Sequence, residues 1–98
     1  MTYTPIFIKK VAKSGRGYLF WIPKDVSDFL SISSTSMIEF VIKKVDILAT
    51  PSQELTFTKK PSPSKQGFLI WIPKNIIEFQ NLDESSFVEV KARVMTNE

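Results

Sequence analysis

The stretch GYLFWIPKDVSDFL, Gly17–Leu30, recurs as GFLIWIPKNIIEFQ, Gly67–Gln80, 50 residues further along a chain of 98. Extending the overlay without a gap sets residues 5–45 on 55–95. Phe7 meets Phe57, Lys9-Lys10 meets Lys59-Lys60, Gly17 meets Gly67, Phe29 meets Phe79 and Glu39 meets Glu89. Apolar character is kept where identity is lost: Phe20 faces Ile70, Val26 faces Ile76 and Ile38 faces Val88. An ungapped match of this length reads as an internal duplication. The joint, DILATPSQE from Asp46 to Glu54, reads as a linker. It divides the chain into a first unit, 1–48, and a second, 49–98. Neither unit, at roughly 50 residues, buries enough apolar surface to stand alone, so the two are expected to share one compact core.

Each unit reads as β-β-α-β. PIFIKKV is rich in strand formers, AKSGRG reads as a turn, and YLFWI is an apolar run of strand length. Within that run Tyr18, Phe20 and Ile22 alternate with Leu19 and Trp21, and both faces are expected to be covered, the tryptophans by core or interface packing. Pro23 and Pro73 suit a first helical turn. The helix that follows is expected to bury Val26, Phe29 and Leu30, and its copy Ile76 and Phe79. MIEFVIKKV then turns Ile38, Phe40 and Ile42 inward and Glu39, Val41 and Lys43 outward. In the copy, Val88, Val90, Ala92 and Val94 face in. The second hairpin, KKPSPSKQG, carries two prolines that are expected to disturb strand pairing.

Composition narrows the chemistry. The chain has no cysteine and no histidine. Zinc-thiolate sites, disulfides, the commonest general base and the usual triads are therefore excluded. No carboxylate pair shares an obvious pocket and no glycine-rich phosphate loop is present, so an enzyme is not expected, nor a cofactor. No apolar run approaches the roughly 20 residues that span a bilayer, and the N-terminus lacks the order of a signal peptide, so a cytoplasmic location is expected. The net charge is +3, all of it in the first unit.

KSGRGYLFWIPKDVSDFLSI resembles the core phrase of the AbrB/MazE swapped-hairpin superfamily. Lys13, Gly15, Ile22, Pro23, Lys24, Val26, Leu30 and Ile32 fall on that pattern. The resemblance covers both units. It implies a mainly β fold with two short helices, in which tandem β-β-α-β units form a pseudo-two-fold swapped-hairpin barrel, as a monomeric pseudo-dimer or a homodimer. It also implies a small DNA-binding repressor that contacts duplex DNA through basic β-hairpins. The residues carried over by position are Lys9, Lys10, Lys13 and Arg16 in the first unit and Lys59, Lys60 and Lys65 in the second, with Gln66 standing where Arg16 stands. Arg16, between two glycines, is the residue expected to read a guanine. The sequence departs from the family pattern at Trp21 and Trp71, where antitoxin-type members often carry arginine. It departs again at Ser27-Asp28 and Ile77-Glu78, where DNA binders often carry basic residues, and at Thr35-Ser36 and Ser85-Ser86, where a Gly-Asp turn is usual. The alternative is a protein-interaction or antitoxin-like module that meets a protein partner through its aromatic or acidic surface. The chain ends a few residues past its last strand, which counts against a toxin-wrapping tail.

Overall fold

The computed structural model describes residues 4–15, 17–45 and 54–96. The first half holds β1 (Ile6–Lys10), β2 (Ala12–Ser14), β3 (Gly17–Trp21), α1 (Lys24–Phe29) and β4 (Met37–Val45). The second repeats them as β5 (Leu55–Lys59), β6 (Ser62–Ser64), β7 (Gly67–Trp71), α2 (Lys74–Gln80) and β8 (Phe87–Thr96). The chain is mainly β, with two antiparallel four-stranded sheets ordered β1-β8-β4-β5 and β2-β3-β7-β6. Among the described residues these sheets do not join into a closed barrel. The linker read from Asp46 to Glu54 lies, except for Glu54, outside the described residues, and so does Arg16.

The pairing exchanges strands between the halves. The outer strand β1 of the first half pairs with β8 of the second, and β5 of the second pairs with β4 of the first. The register repeats the 50-residue offset. Phe40 opposite Ala92 becomes Val90 opposite Ile42, and Phe7 opposite Val90 becomes Phe57 opposite Phe40. Two pairs map onto themselves, Val41 with Lys91 and Phe20 with Ile70. An approximate two-fold axis therefore runs through the centres of both sheets.

The inward faces meet in one core. Phe20, Ile38, Phe40, Ile42, Ile70, Val88, Val90 and Ala92 are fully buried. This is the alternation expected of β4 and β8. Four phenylalanines cross the core, with ring centroids 6.0 Å apart for Phe7–Phe20, 5.7 Å for Phe20–Phe40 and 5.4 Å for Phe40–Phe57. Such edge-on and offset contacts add to area burial.

Each unit has one more strand than expected, because AKS pairs with β3 as β2 instead of turning. Val11 is the corner. It is buried, and its N–H donates to the Ser86 carbonyl at 2.8 Å, one step beyond the Lys10–Phe87 pair. The chain passes there from one sheet to the other. Pro61 takes the same buried corner in the second half, where it has no N–H for the equivalent bond, and β5 pairs with β4 only as far as Lys59, one residue short of the copy of Lys10. The expectation that two prolines disturb the second hairpin is corrected at Pro63. Pro63 sits opposite Phe68, between the pairs Ser62–Leu69 and Ser64–Gly67. Ser64 and Gly67 close a two-residue turn and exchange the hydrogen bonds, so the Pro63 nitrogen points to the open side of an edge strand. Gly67 supplies the φ of +129° that this turn needs.

Pro23 and Pro73 stand one residue before their helices, with φ/ψ of −57°/142° and −58°/143°. Their carbonyls accept the N–H of Ser27 at 3.0 Å and of Ile77 at 3.2 Å. The helices bury Val26 and Ile76, with Leu30 and Ile77 packed beside them. Phe29 and Phe79 do not join the core, contrary to the sequence reading: both are 60% exposed. With six or seven residues, each helix offers the core little more than one i, i+4 row. Val26 and Leu30, then Ile76 and Gln80, fill it, and i+3 falls on the outer flank.

The turns before β4 and β8 are held by buried serines. Ser36 Oγ accepts the Ser33 N–H at 2.9 Å, and Ser86 Oγ accepts the Asp83 N–H at 3.0 Å. Asp83 Oδ1 in turn accepts the Ser85 hydroxyl at 2.6 Å, the Ser85 N–H at 2.9 Å and the Ser86 hydroxyl at 3.1 Å. The Ser85 hydroxyl, followed by these other donors, holds the Asp83 carboxyl below its ordinary value.

Two outcomes follow for stability. Phe40→Ala removes the centre of the aromatic row and is expected to lower the unfolding free energy by about 3–5 kcal/mol in urea titration. A loss under about 1 kcal/mol would show that the row carries no such weight. The folded-state pKa of Asp83 is depressed, so its contribution is present above the unfolded value of about 3.9 and lost as pH falls through the folded one. Asp83→Asn should therefore lower the urea midpoint at pH 7, and the gap to wild type should narrow as pH falls below the ordinary carboxylate range.

Candidate nucleic-acid interface

Charge is sorted by sheet. Residues 5–24 hold five basic residues and residues 55–74 hold four, nine of the chain's 13, and neither segment holds an acidic residue. These segments supply β1, β2, β3 and their copies, ending at the first residue of each helix. All ten acidic residues lie elsewhere. On the outer face of β4 and β8 they are matched by ion pairs: Lys43–Glu89 at 3.7 Å, Lys91–Glu54 at 3.3 Å and Arg93–Glu39 at 3.1 Å. Lys44 Nζ donates to the Asn81 carbonyl at 3.2 Å. Among the described residues no ion pair engages a lysine of the two hairpin segments.

Strand alternation separates the candidate lysines. Lys9 follows Phe7 on the inner side of β1 and is half-buried, while Lys10 points outward and is exposed. Lys59 shares the inner side of β5 with Phe57, although it is exposed. An inward lysine near the end of an edge strand also obstructs pairing with another strand, a structural role for Lys9 and Lys59 that is independent of any ligand. Lys13 is exposed on β2, opposite Tyr18, and Lys60 and Lys65 are exposed on the second hairpin.

The hairpins meet the opposite half. The Ile22 N–H donates to the Phe68 carbonyl at 3.0 Å and the Ile72 N–H to the Tyr18 carbonyl at 2.9 Å. The tip of the second hairpin therefore stands beside α1. A groove of about 360 Å³ opens there, with Lys65 and Gln66 on one side and Lys24, Ser27 and Asp28 on the other. Lys24 falls on the family phrase but outside the set carried over as DNA contacts. Its signal is the acid-free run, which ends on it. Asp28 in the same groove partly offsets the two lysines.

The tryptophans lie outside the core. Phe20 and Ile70 take the inner side of the central β3–β7 pair, so Leu19, Trp21, Leu69 and Trp71 take the outer one. Trp71 is 38% exposed and Trp21 half-buried. The benzo ring of Trp71 rests on Gly17, where an added Cβ would come within 3.1 Å of it.

Among the described residues no group of three His, Cys, Asp or Glu side chains could hold a metal, and no helix is long and apolar enough to cross a membrane. Comparison with family models, with curated proteins and with solved structures gives no match.

Proposed function

We propose that this chain is a DNA-binding transcriptional regulator, a small repressor that holds duplex DNA with its two basic β-hairpins. The carrying observation is the charge sorting: nine basic and no acidic residues on two hairpin segments related by an approximate two-fold axis. Lysines on such arms neutralise phosphates and release counterions. Two arms related by a two-fold suit two half-sites of an operator. Strand exchange between the halves agrees with the resemblance to the AbrB/MazE superfamily, and the finer reading is its swapped-hairpin architecture contained in one chain. Lys10, Lys13, Lys60 and Lys65 reach phosphates in this reading, and Arg16 reads a base edge. Lys24 joins Lys65 at the groove beside the second tip. One observation favours the protein-interaction alternative, namely the equal exposure of Phe29 and Phe79 on the two helices.

Anisotropy titration of the protein against its own upstream duplex and a scrambled duplex tests the proposal. With about four phosphate contacts, raising salt from 50 to 200 mM should weaken binding on the order of 10²-fold. The upstream duplex should bind more tightly than the scrambled one at both salt concentrations. No binding at 50 mM salt would end the proposal and leave the protein-interaction reading. Charge reversal ranks the residues: Lys10→Glu and Lys13→Glu should each weaken binding about tenfold, and Lys9→Glu less, because Lys9 is turned inward. Reversing Lys60 and Lys65 together tests whether the second hairpin is engaged. An effect equal to that of Lys10 and Lys13 means both arms bind, and no effect means the first arm binds alone.

A further inference from the structure

β1 is an outer strand of its sheet, and its ladder with β8 decides which of its backbone groups stay open. The Pro5 carbonyl accepts the Ala92 N–H at 3.2 Å, and the Val11 N–H donates to the Ser86 carbonyl at 2.8 Å. Hydrogen-bonded pairs alternate along an antiparallel ladder, so between these ends Phe7 bonds to Val90 and Lys9 to Val88. The N–H and C=O groups of Ile6, Ile8 and Lys10 therefore point away from β8, to a side where no strand lies among the described residues. The side chains of the same three residues stand on the outer face. Ile6 and Ile8 are each 57% exposed, and Phe87, opposite Lys10, is 47% exposed. β5 is the other outer strand of this sheet, but it carries Thr56 and Thr58 at the matching positions. An open edge with an apolar outer row thus belongs to β1 alone of the two.

We infer that this edge takes up an extended peptide as a fifth strand, one that is apolar opposite Ile8 and Ile6 and acidic opposite Lys10 and Lys9. Strand addition draws its affinity from main-chain hydrogen bonds and its specificity from alternate side chains. Antiparallel addition matches the rest of the sheet and is the more stable pairing. Charge fixes which end of the peptide is acidic. Lys9 and Lys10 stand at one end of β1, and among the described residues neither has an ion-pair partner. Beyond the other end, Asp25 lines a pocket of about 260 Å³ together with Pro5, Val26 and Phe29. Acidic side chains are drawn to the lysine end and repelled from the Asp25 end. A second copy of the chain fits poorly. Two β1 strands paired antiparallel about Ile8 would set the inward, half-buried Lys9 of each opposite Phe7 of the other, with no anion to meet it. The complementary occupant is a strand that brings its own carboxylates to that level.

The inference goes beyond the duplex proposal and stands or falls separately from it, although Lys10 serves both. The probe is a labelled peptide of two acidic residues followed by alternating valine and threonine, compared with a peptide in which lysines replace the acids. By anisotropy at low salt, the full chain should bind the acidic peptide about tenfold more tightly than the basic one. Ile8→Pro removes an N–H that the ladder with β8 does not use, and should weaken binding of the acidic peptide about tenfold. Ile6→Thr combined with Ile8→Thr copies the residues of β5 and should weaken it by a similar factor, about tenfold. Thermal melts confirm that the variants fold, and the threonine pair serves if Ile8→Pro does not. Affinity of these variants for the upstream duplex should be unchanged, because Lys10 and Lys13 remain, and this separates the edge from the duplex proposal. The inference is overturned if the acidic peptide gives no signal at about 1 mM protein, if the basic peptide binds as tightly, or if the folded variants bind the acidic peptide as the parent chain does. It is also overturned if sedimentation shows a dimer that Ile8→Pro dissolves, because the edge is then taken by a second copy.

Discussion

Everything in this molecule depends on the antiparallel pairing of β4 with β8. Each is the longest strand of its half, and each finds its outer neighbour in the other half. A single unit would leave β4 with both edges bare and the faces of Phe40, Ile38 and Ile42 in water. A 50-residue chain has too little surface to bury to repay the ordering of its backbone. Joining two copies supplies the missing edges and the second wall of the core together. The repeat of WIPK follows from that constraint. In each half it marks the point where an apolar strand of one sheet ends, and a short helix carries the chain on to the other sheet.

The same connectivity sorts the charge. At Val11 and Pro61 the chain turns a corner, so residues adjacent in sequence serve different sheets. The segments around each corner are basic and free of acids, and the acidic residues lie on the helices, the turns, the linker, the C-terminal residue and the outer face of the long central strands. Ion pairs at the surface of β4 and β8, partly exposed to solvent, contribute little to stability. Their effect here is to leave that face electrically balanced. The hairpins have no such balance among the described residues, and the field of the molecule is therefore concentrated on them. A chain with a net charge of only +3 can present a strongly basic surface when the charges are separated in this way.

Much of this was legible in the sequence, and the illegible parts have identifiable causes. The duplication, the strand order within each unit and the inward set of β4 and β8 follow from periodicity, because a two-residue alternation over nine residues admits few readings. AKS reads as a turn because three polar or small residues carry no alternation. Their strand conformation is imposed by β3. Pro63 reads as disruptive because sequence does not reveal which side of a strand carries its neighbour. The phenylalanines at 29 and 79 looked buried since i+3 and i+4 both count as one helical face. In a helix of two turns only one of those rows touches the core. The site lysines were legible as a set. Their division into inward Lys9 and outward Lys10 required the register with β8, and the outward position of the tryptophans required the β3–β7 pairing.

The two halves are alike where they meet and unlike where they face solvent. Inside, Phe20 and Ile70, or Phe40 and Val90, exchange shape within apolar character, since packing around one axis constrains both copies equally. Outside, Ile6 and Ile8 of β1, each 57% exposed, correspond to Thr56 and Thr58 of β5. One difference reaches inside: Leu30 corresponds to the buried Gln80, whose amide donates to the Ile42 carbonyl at 3.2 Å. Trp71 rests on Gly17, whereas nothing lies within 4 Å of the position a Cβ would take at Gly67. A homodimer made by association could not diverge in this manner, because every substitution would appear twice. A fused pair is free of that rule. Its hairpins keep the same strand register while residues at matching positions, such as Arg16 and Gln66, differ. The ligand of such a surface is under no requirement to be two-fold symmetric: one arm can specify while the other only holds.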